Sequence, residues 1–309
     1  MALCALLPTS EGATGLMWVA LVLILLGIPH GASDYLVFRS FAASAESRRV
    51  KLAFYLYYFL GILLYGILWM VAPTLAFIGF ILVSVYHFGQ SNWHQVCFES
   101  RWQAKLTYLL WGGFVLAFPI LLHHQEAAVI VKAITGYDYA LSAGWRHALL
   151  FLSLCDNLIV LCHLNERHIL SDEALGRELV NLLLLALLFA ATPLLIGFAT
   201  YFVIWHSLAA TLDQIRLFRE LYGNDYSHRM YLKQVGGMTA LALAGLGALA
   251  YCWPSGAGGA EGIDWSIVFL FISIITTPHA LLIDRLYEWA QRRNAPVNQI
   301  KFEHSFSSN

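Results

Sequence analysis

Four histidines lie inside long apolar stretches of this sequence, where no water is at hand to hydrogen-bond an imidazole. They are His30, His87, His206 and His279. If each stretch is a helix, each histidine follows the predicted external end by about 13 to 15 residues, at a rise of about 1.5 Å per residue. All four then lie at one depth, in the cytoplasmic half of a membrane. Intramembrane ionisable residues usually face the bundle interior and serve function. The sequence therefore predicts one shared metal site.

The ligand type narrows the choice of metal. Neutral imidazoles without thiolates suit iron, copper, zinc or nickel better than magnesium or calcium. One alternative is that each histidine bonds separately to a neighbouring helix. Another is a bis-histidine haem, but two haems stacked across a bilayer would need histidine pairs at two depths. Four histidines at one depth favour a single all-histidine centre.

A carboxylate is expected beside such a centre, because four neutral ligands leave the charge of the ion uncompensated. Asp34 follows His30 by four residues, so it lies on the same helix face, one turn nearer the cytoplasm. The alternative is that Asp34 reaches the membrane interface towards Arg39. His94 and His163 lie near the cytoplasmic boundary and are weaker ligand candidates.

Composition identifies the elements that must position these residues. Of the 309 residues, 59% are hydrophobic and 12% are charged, against about 25% charged in soluble proteins. This balance excludes soluble, disordered and coiled-coil classes and predicts an all-α, polytopic membrane bundle in the lipid bilayer. The net charge of −1 and the dispersed basic residues argue against nucleic-acid binding. The five cysteines form no CxxC pair, which argues against disulfides and thiolate metal sites.

Apolar stretches of sufficient length predict about nine transmembrane helices. They cover residues 16–38, 52–72, 74–92, 106–122, 145–164, 179–191, 193–212, 236–253 and 264–283. The uncharged run from Leu179 to Leu212 is split at Thr192-Pro193, because proline disfavours helix in the residue before it. Read as one long tilted helix, that run reduces the total to eight. We expect an external segment at 1–15, a single transmembrane domain at 16–285 and a cytoplasmic tail at 286–309.

Basic residues predict the orientation of these spans. With an external N-terminus and a cytoplasmic C-terminus, every Lys and Arg of the 18 except Lys132 and Arg146 falls on the cytoplasmic side. An excess of Lys and Arg is typical of the cytoplasmic loops of membrane proteins. The first apolar run has no basic residue before it, so we expect it to be a retained span and not a cleaved signal.

Two further sets of residues suggest contacts. Aromatic side chains close to the histidines in sequence are candidates for binding an apolar substrate, although such residues more often serve helix packing: Tyr35, Tyr86, Phe88, Tyr201 and Trp205. Glycines on the 236–253 helix indicate close helix packing, self-association or contact with a membrane-protein partner. They are Gly236, Gly237, Gly245 and Gly247.

The motifs around the histidines resemble a known family. GIPHGASD at 27–34, YHFGQS at 86–91, WHS at 205–207 and TPH at 277–279 are similar, in order, to the motifs of the Brp/Blh family of membrane β-carotene 15,15′-dioxygenases. The resemblance runs from about residue 20 to 285. PHGAxD and HFG are its specific elements.

The resemblance implies a non-haem Fe(2+) enzyme of the bacterial inner membrane, a multi-pass protein of the cell membrane. Such an enzyme uses O2 to split the central double bond of β-carotene, or a related carotenoid, into retinal. The motif matches carry the iron-ligand role to His30, His87 and His206. The family's fourth ligand belongs one turn later, where this chain has Ala210. His279 then completes the set, or the metal keeps three histidines and a water.

Ala210 also supports a second class of function. A chain that has lost turnover would serve as a carotenoid-binding protein or an accessory subunit of a larger membrane complex. A haem-bearing electron-transfer subunit is a weaker hypothesis, because the four histidines share one depth. A transporter is weaker still, because charged residues within the spans are few and histidine dominates the ionisable groups there.

Overall fold

The computed structural model describes residues 27–42, 47–252 and 265–294, and all regular structure within them is helical. The helices are α1 Ile28–Gly31, α2 Asp34–Phe41, α3 Arg48–Val71, α4 Pro73–Trp93, α5 Arg101–Leu122, α6 His124–Thr135, α7 Ala143–Glu166, α8 Asp172–Ala191, α9 Leu194–Tyr222, α10 His228–Cys252 and α11 Trp265–Asn294. Among these, eight are long and apolar enough to cross a membrane, namely α3–α5 and α7–α11. The protein is a multi-pass, all-helical membrane protein.

The proline break predicted at Thr192-Pro193 is confirmed, and a second proline marks another boundary between helices. Ala72 separates α3 from α4, which begins at Pro73. Thr192 and Pro193 separate α8 from α9, and both have extended ψ angles. The long uncharged run is therefore two helices, and eight of the nine predicted spans correspond to described helices.

The remaining span, predicted at 16–38, lies outside the described residues up to residue 26. Its described part corrects the prediction of one unbroken helix, because the chain turns between α1 and α2. Ser33 N–H bonds to the carbonyl of His30 at 3.2 Å, and Ser33 Oγ donates to the same oxygen at 2.7 Å. Ser33 thus competes for the His30 carbonyl that a continuous helix would use at Asp34.

The helices extend beyond the predicted spans mostly at the predicted cytoplasmic side. α9 continues to Tyr222 and α11 to Asn294, past the predicted ends at 212 and 283. A span predicted from apolar length ends at the first charged residues. The helix itself can continue into water, because its backbone hydrogen bonds are formed within the helix. The predicted tail at 286–309 therefore begins as helix.

A short helix that the sequence analysis did not predict, α6, follows α5 on the predicted external side. It ends at Gly136, whose φ of 72° is in the left-handed region that glycine adopts without strain. α6 packs on α4, α5 and α11. It therefore contacts two of the helices that carry the intramembrane histidines.

Helices α4 and α5 form the most extensive contact in the bundle, and two glycines permit it. A Cβ atom at Gly89 would lie 1.8 Å from the backbone oxygen of Tyr108, and one at Gly112 would lie 1.7 Å from that of Val85. No side chain fits at either place. The glycines fix α4, and with it His87, against α5.

Two other helices, α3 and α10, bury little of their surface against the part of the chain that the structure describes. Only 6% of the apolar window of each is buried. The small-residue face of α10 has little contact within the described residues: a Cβ at Gly236, Gly237 or Gly247 meets no atom within 4 Å, and one at Gly245 meets Phe271 at 3.7 Å. Self-association through residues 236–253 stays a prediction.

Candidate metal centre

The four intramembrane histidines meet in one closed ring of side chains. His206 lies 5.2 Å from His30 and 5.0 Å from His87, measured between ring centroids. His279 completes the ring, at 5.1 Å from both His30 and His87. Each contact is edge-to-face. Four chain segments that are far apart in sequence thus bring their imidazoles to one place, at the common depth that the sequence predicted.

These imidazoles are buried, and six of their ring nitrogens have no hydrogen-bond partner among the described residues. Each of the four residues is at most 5% exposed. Both ring nitrogens of His30 and of His87, Nδ1 of His206 and Nε2 of His279 have no partner among the described residues. A buried polar atom left unsatisfied costs about 1–3 kcal/mol, and native proteins contain few of them. Six such nitrogens in one cluster indicate that the site is built to bind something.

His206 is presented by an irregular part of α9. This helix has three segments, an α-helix at Leu194–Tyr201, a π-helix at Phe202–Leu208 and an α-helix at Ala209–Tyr222. π-helical turns are rare and frequent at functional sites. The wider turn changes the direction of every side chain after Tyr201, and so directs His206 towards the other three rings.

His30 is positioned by the break between α1 and α2. The bonds from Ser33 to its carbonyl oxygen close a tight turn directly after the histidine. Gly27 permits a close approach beside it, because a Cβ there would lie 2.8 Å from the ring of Phe202. The ring of Phe202, from the π-helical segment, thus packs directly on the backbone of Gly27 at the start of α1.

A carboxylate outside the cluster of four histidines forms a hydrogen bond with one of them. Asp34 lies in the bundle, 4% exposed, and its Oδ1 is 2.6 Å from Nδ1 of His279. The hydroxyl of Tyr58 on α3 donates to Oδ2 of the same carboxylate at 2.6 Å. A carboxylate accepts hydrogen bonds, so we assign the proton of His279 to Nδ1. The lone pair of Nε2 is then free to bind a metal ion. Asp34 faces the histidine ring and not the interface.

Comparison with known proteins identifies the family of this chain. The family model described as beta-carotene 15,15′-dioxygenase matches residues 21–287. The chain belongs to the β-carotene 15,15′-dioxygenase family. A beta-carotene 15,15′-dioxygenase of uncultured marine bacterium 66A03 is 26% identical over 87% of this chain and 94% of its own length. A probable beta-carotene 15,15′-dioxygenase Blh of Halobacterium salinarum is 23% identical, over 84% of this chain and 81% of its own. No solved structure matches the chain.

In the β-carotene 15,15′-dioxygenase family, the resemblance described above implied a fourth histidine ligand at the position that Ala210 occupies. This residue is buried, one turn after His206. The fourth imidazole of the ring comes from α11 instead, as His279. His94 and His163, the weaker candidates, lie elsewhere: His94 stacks on Tyr287, and His163 lines a surface cavity of about 440 Å³.

The five aromatic side chains considered as substrate contacts have different surroundings. The ring of Phe88 packs edge-to-face on that of His206, with 4.8 Å between centroids, and the ring of Tyr201 packs on Phe88 with 5.7 Å between centroids. Trp205 packs on the apolar cluster around them. Tyr35 stacks on Tyr55 instead, and Tyr86 donates to Asp284 at 3.3 Å.

Three residues near the ring were not found by sequence reasoning. The ring centroid of Phe202 lies 5.4 Å from that of His206. Tyr58 donates a hydrogen bond to Asp34, and Gln90 donates one to Asp284. Gln90 belongs to the quoted YHFGQS motif, so its position one turn after His87 was a usable signal. Tyr58 carries no such signal, because it lies 24 residues from Asp34 in sequence.

The ring contacts also bear on the choice of metal group. A haem bound by two of these histidines would lie between their imidazoles. The imidazoles of the other two histidines already lie there, with centroids about 5 Å from those of the first two. The porphyrin is much wider than that gap, so the arrangement is unsuited to haem. Within the described residues, no group of three or more His, Cys, Asp or Glu side chains is already placed to hold a metal ion. The donor set, four imidazoles with free nitrogens, nonetheless fits a single ion.

Proposed function

We propose that this protein cleaves β-carotene, or a related carotenoid, at its central double bond with O2 to give retinal. The observation that carries the proposal is the buried ring of four histidines with free nitrogens, in a membrane chain of this family. The names of the two relatives support the substrate and the reaction.

We infer that His30, His87, His206 and His279 hold an Fe(2+) ion. Neutral imidazoles suit iron, and the six unpartnered nitrogens exceed the four that one ion requires. Bound there, iron supplies the activation of O2. In the overall reaction the central C=C bond breaks, and the two oxygen atoms of O2 become the two aldehyde oxygens. No outside reductant is needed.

The protein's own residues orient the ring and exclude water from it. Asp34 keeps the proton of His279 on Nδ1, and Tyr58 keeps Asp34 in place. The Asp34 carboxylate also compensates positive charge in a site of low dielectric. Phe88 and Phe202 close the His206 side with apolar surface. A carotenoid dissolved in the bilayer would reach such a site between helices, without passing through water.

The direct test is expression in bacterial cells that accumulate β-carotene. We expect retinal to form and the carotenoid colour to fade. His87→Ala should abolish both changes at equal protein level in the membrane. Asp156→Asn, which alters a half-buried carboxylate on α7, should behave like the wild type.

A second function, a carotenoid-binding or accessory subunit, is favoured by Ala210 alone. It predicts that the wild-type protein co-purifies with intact carotenoid and releases no retinal. That outcome would replace the oxygenase proposal.

A further inference from the structure

Helices α4 and α11 face each other through three successive polar contacts. The first is the pair of His87 and His279 in the histidine ring. The second is Gln90, whose Nε2 donates to Oδ1 of Asp284 at 2.7 Å. In the third, the rings of His94 and Tyr287 are stacked at 4.3 Å with an angle of 14° between their planes. We call Gln90, His94, Asp284 and Tyr287 the polar seam.

The middle of the polar seam carries a half-buried carboxylate, one residue past the predicted end of the last span. Asp284 lies within the apolar window Phe269–Ala290 of α11. Its hydrogen bonds within the described residues come from two neutral donors, Gln90 and Tyr86. Gln90 is 4% exposed, and its Oε1 has no partner among those residues. A half-buried carboxylate held by neutral donors keeps its negative charge uncompensated, which suits it to attract a cation.

The outer end of the polar seam lies at the predicted cytoplasmic boundary. Nε2 of His94 is 3.8 Å from Oδ2 of Asp213, whose side chain is 26% exposed. Gln95 donates to the same oxygen at 3.3 Å, and Arg216 pairs with Oδ1 at 2.8 Å. A carboxylate oxygen and an imidazole are therefore present where the seam approaches water.

We propose that the polar seam is the route by which a divalent metal ion enters the histidine ring from the cytoplasmic side. An ion cannot cross hydrocarbon unaided, and the four histidines are buried. The seam offers carboxylate and amide oxygens and an imidazole, all suitable ligands for a divalent ion. It leads from Asp213 to His87 and His279. This inference rests on the proposed function, since it requires a metal in the ring.

Uptake of Co²⁺ by metal-stripped protein tests the route without relying on catalysis. Purified full-length protein in detergent is stripped with a chelator, and Co²⁺ is added while its visible absorption is followed. Asp284→Asn keeps an oxygen for Gln90 to donate to but removes the charge. We expect this variant to load at least about tenfold more slowly, since a charged entrance raises association rates by about 10- to 1,000-fold. Its final Co²⁺ content and melting temperature should match the wild type.

Two further variants distinguish a route from a structural contact. Gln90→Leu should also slow loading, because it replaces the free oxygen with apolar surface. Asp156→Asn, the matched change on α7, should leave the loading rate unaltered. A wild-type rate in both seam variants would overturn the route, as would a lower final content reached at an unchanged rate. A wild-type protein that takes up no Co²⁺ would instead overturn the metal site itself.

Discussion

Nδ1 of His279 lies 2.6 Å from a carboxylate oxygen of Asp34, although 245 positions separate the two residues. The contact joins the first described part of the chain to the last and fixes one imidazole of the ring. Tyr58 holds the other oxygen of Asp34, so three elements meet at one carboxylate.

Asp34→Asn tests the value of this contact. The change removes the negative charge beside His279, and loss of such a partner typically costs 10- to 100-fold in metal affinity or activity. We expect metal retention against a chelator to fall by about that factor. Tyr58→Phe should give a smaller loss in the same direction. Asp156→Asn serves as the control, and equal retention in Asp34→Asn and this control would refute a role for the carboxylate.

His279→Ala asks whether α11 supplies a true ligand. If His279 takes the place of the histidine absent at position 210, the variant should lose metal as completely as His30→Ala does. Ala210→His should be tolerated or should raise metal content, because the position is buried one turn from His206. Metal content measured on purified protein decides the point. Full metal and retinal production in His279→Ala would mean a three-histidine site.

Gly89→Ala should damage the fold near the site. Its Cβ would lie 1.8 Å from the backbone oxygen of Tyr108, so α4 and α5 must separate. Overpacking of this kind typically costs about 1–3 kcal/mol, and backbone contact places this case at the upper end. The melting temperature in detergent should fall clearly. Gly113→Ala, which meets no atom within 4 Å, should be close to neutral, and equal effects of the two changes would contradict the packing described.

Membrane orientation provides an independent prediction from the distribution of basic residues. A reporter inserted after Gly136, between α6 and α7, should be external. Reporters after Arg167 and after Gly223 should be cytoplasmic. Detection of Gly136 and Arg167 on the same side would invalidate the arrangement, and with it the cytoplasmic entrance proposed for the metal.

The spans and the common depth of the histidines could be predicted because they depend on local sequence. Apolar length, proline and charge determine where a helix can cross a membrane, and a fixed rise per residue converts position into depth. This reasoning places His279 at the depth of the other three histidines, and its ring centroid lies 5.1 Å from those of His30 and His87.

The details of the site depend instead on contacts between distant segments. The π-helical segment that contains His206 has no simple sequence signature, because its residues resemble those of an ordinary apolar helix. The pairing of Asp34 with His279, and of Gln90 with Asp284, joins residues 245 and 194 positions apart. The spacing of Asp34 from His30 predicts a carboxylate beside the site, but not which histidine it meets.

Retinal formation by purified protein, compared before and after Fe²⁺ is restored to the metal-stripped form, tests the central claim most directly. We predict that stripped protein given β-carotene and O2 forms no retinal, that Fe²⁺ restores it, and that each carotenoid cleaved yields two retinal molecules. His206→Ala should stay inactive under both conditions. Iron-loaded wild-type protein that leaves β-carotene intact, or equal retinal formation with and without iron, would contradict the account.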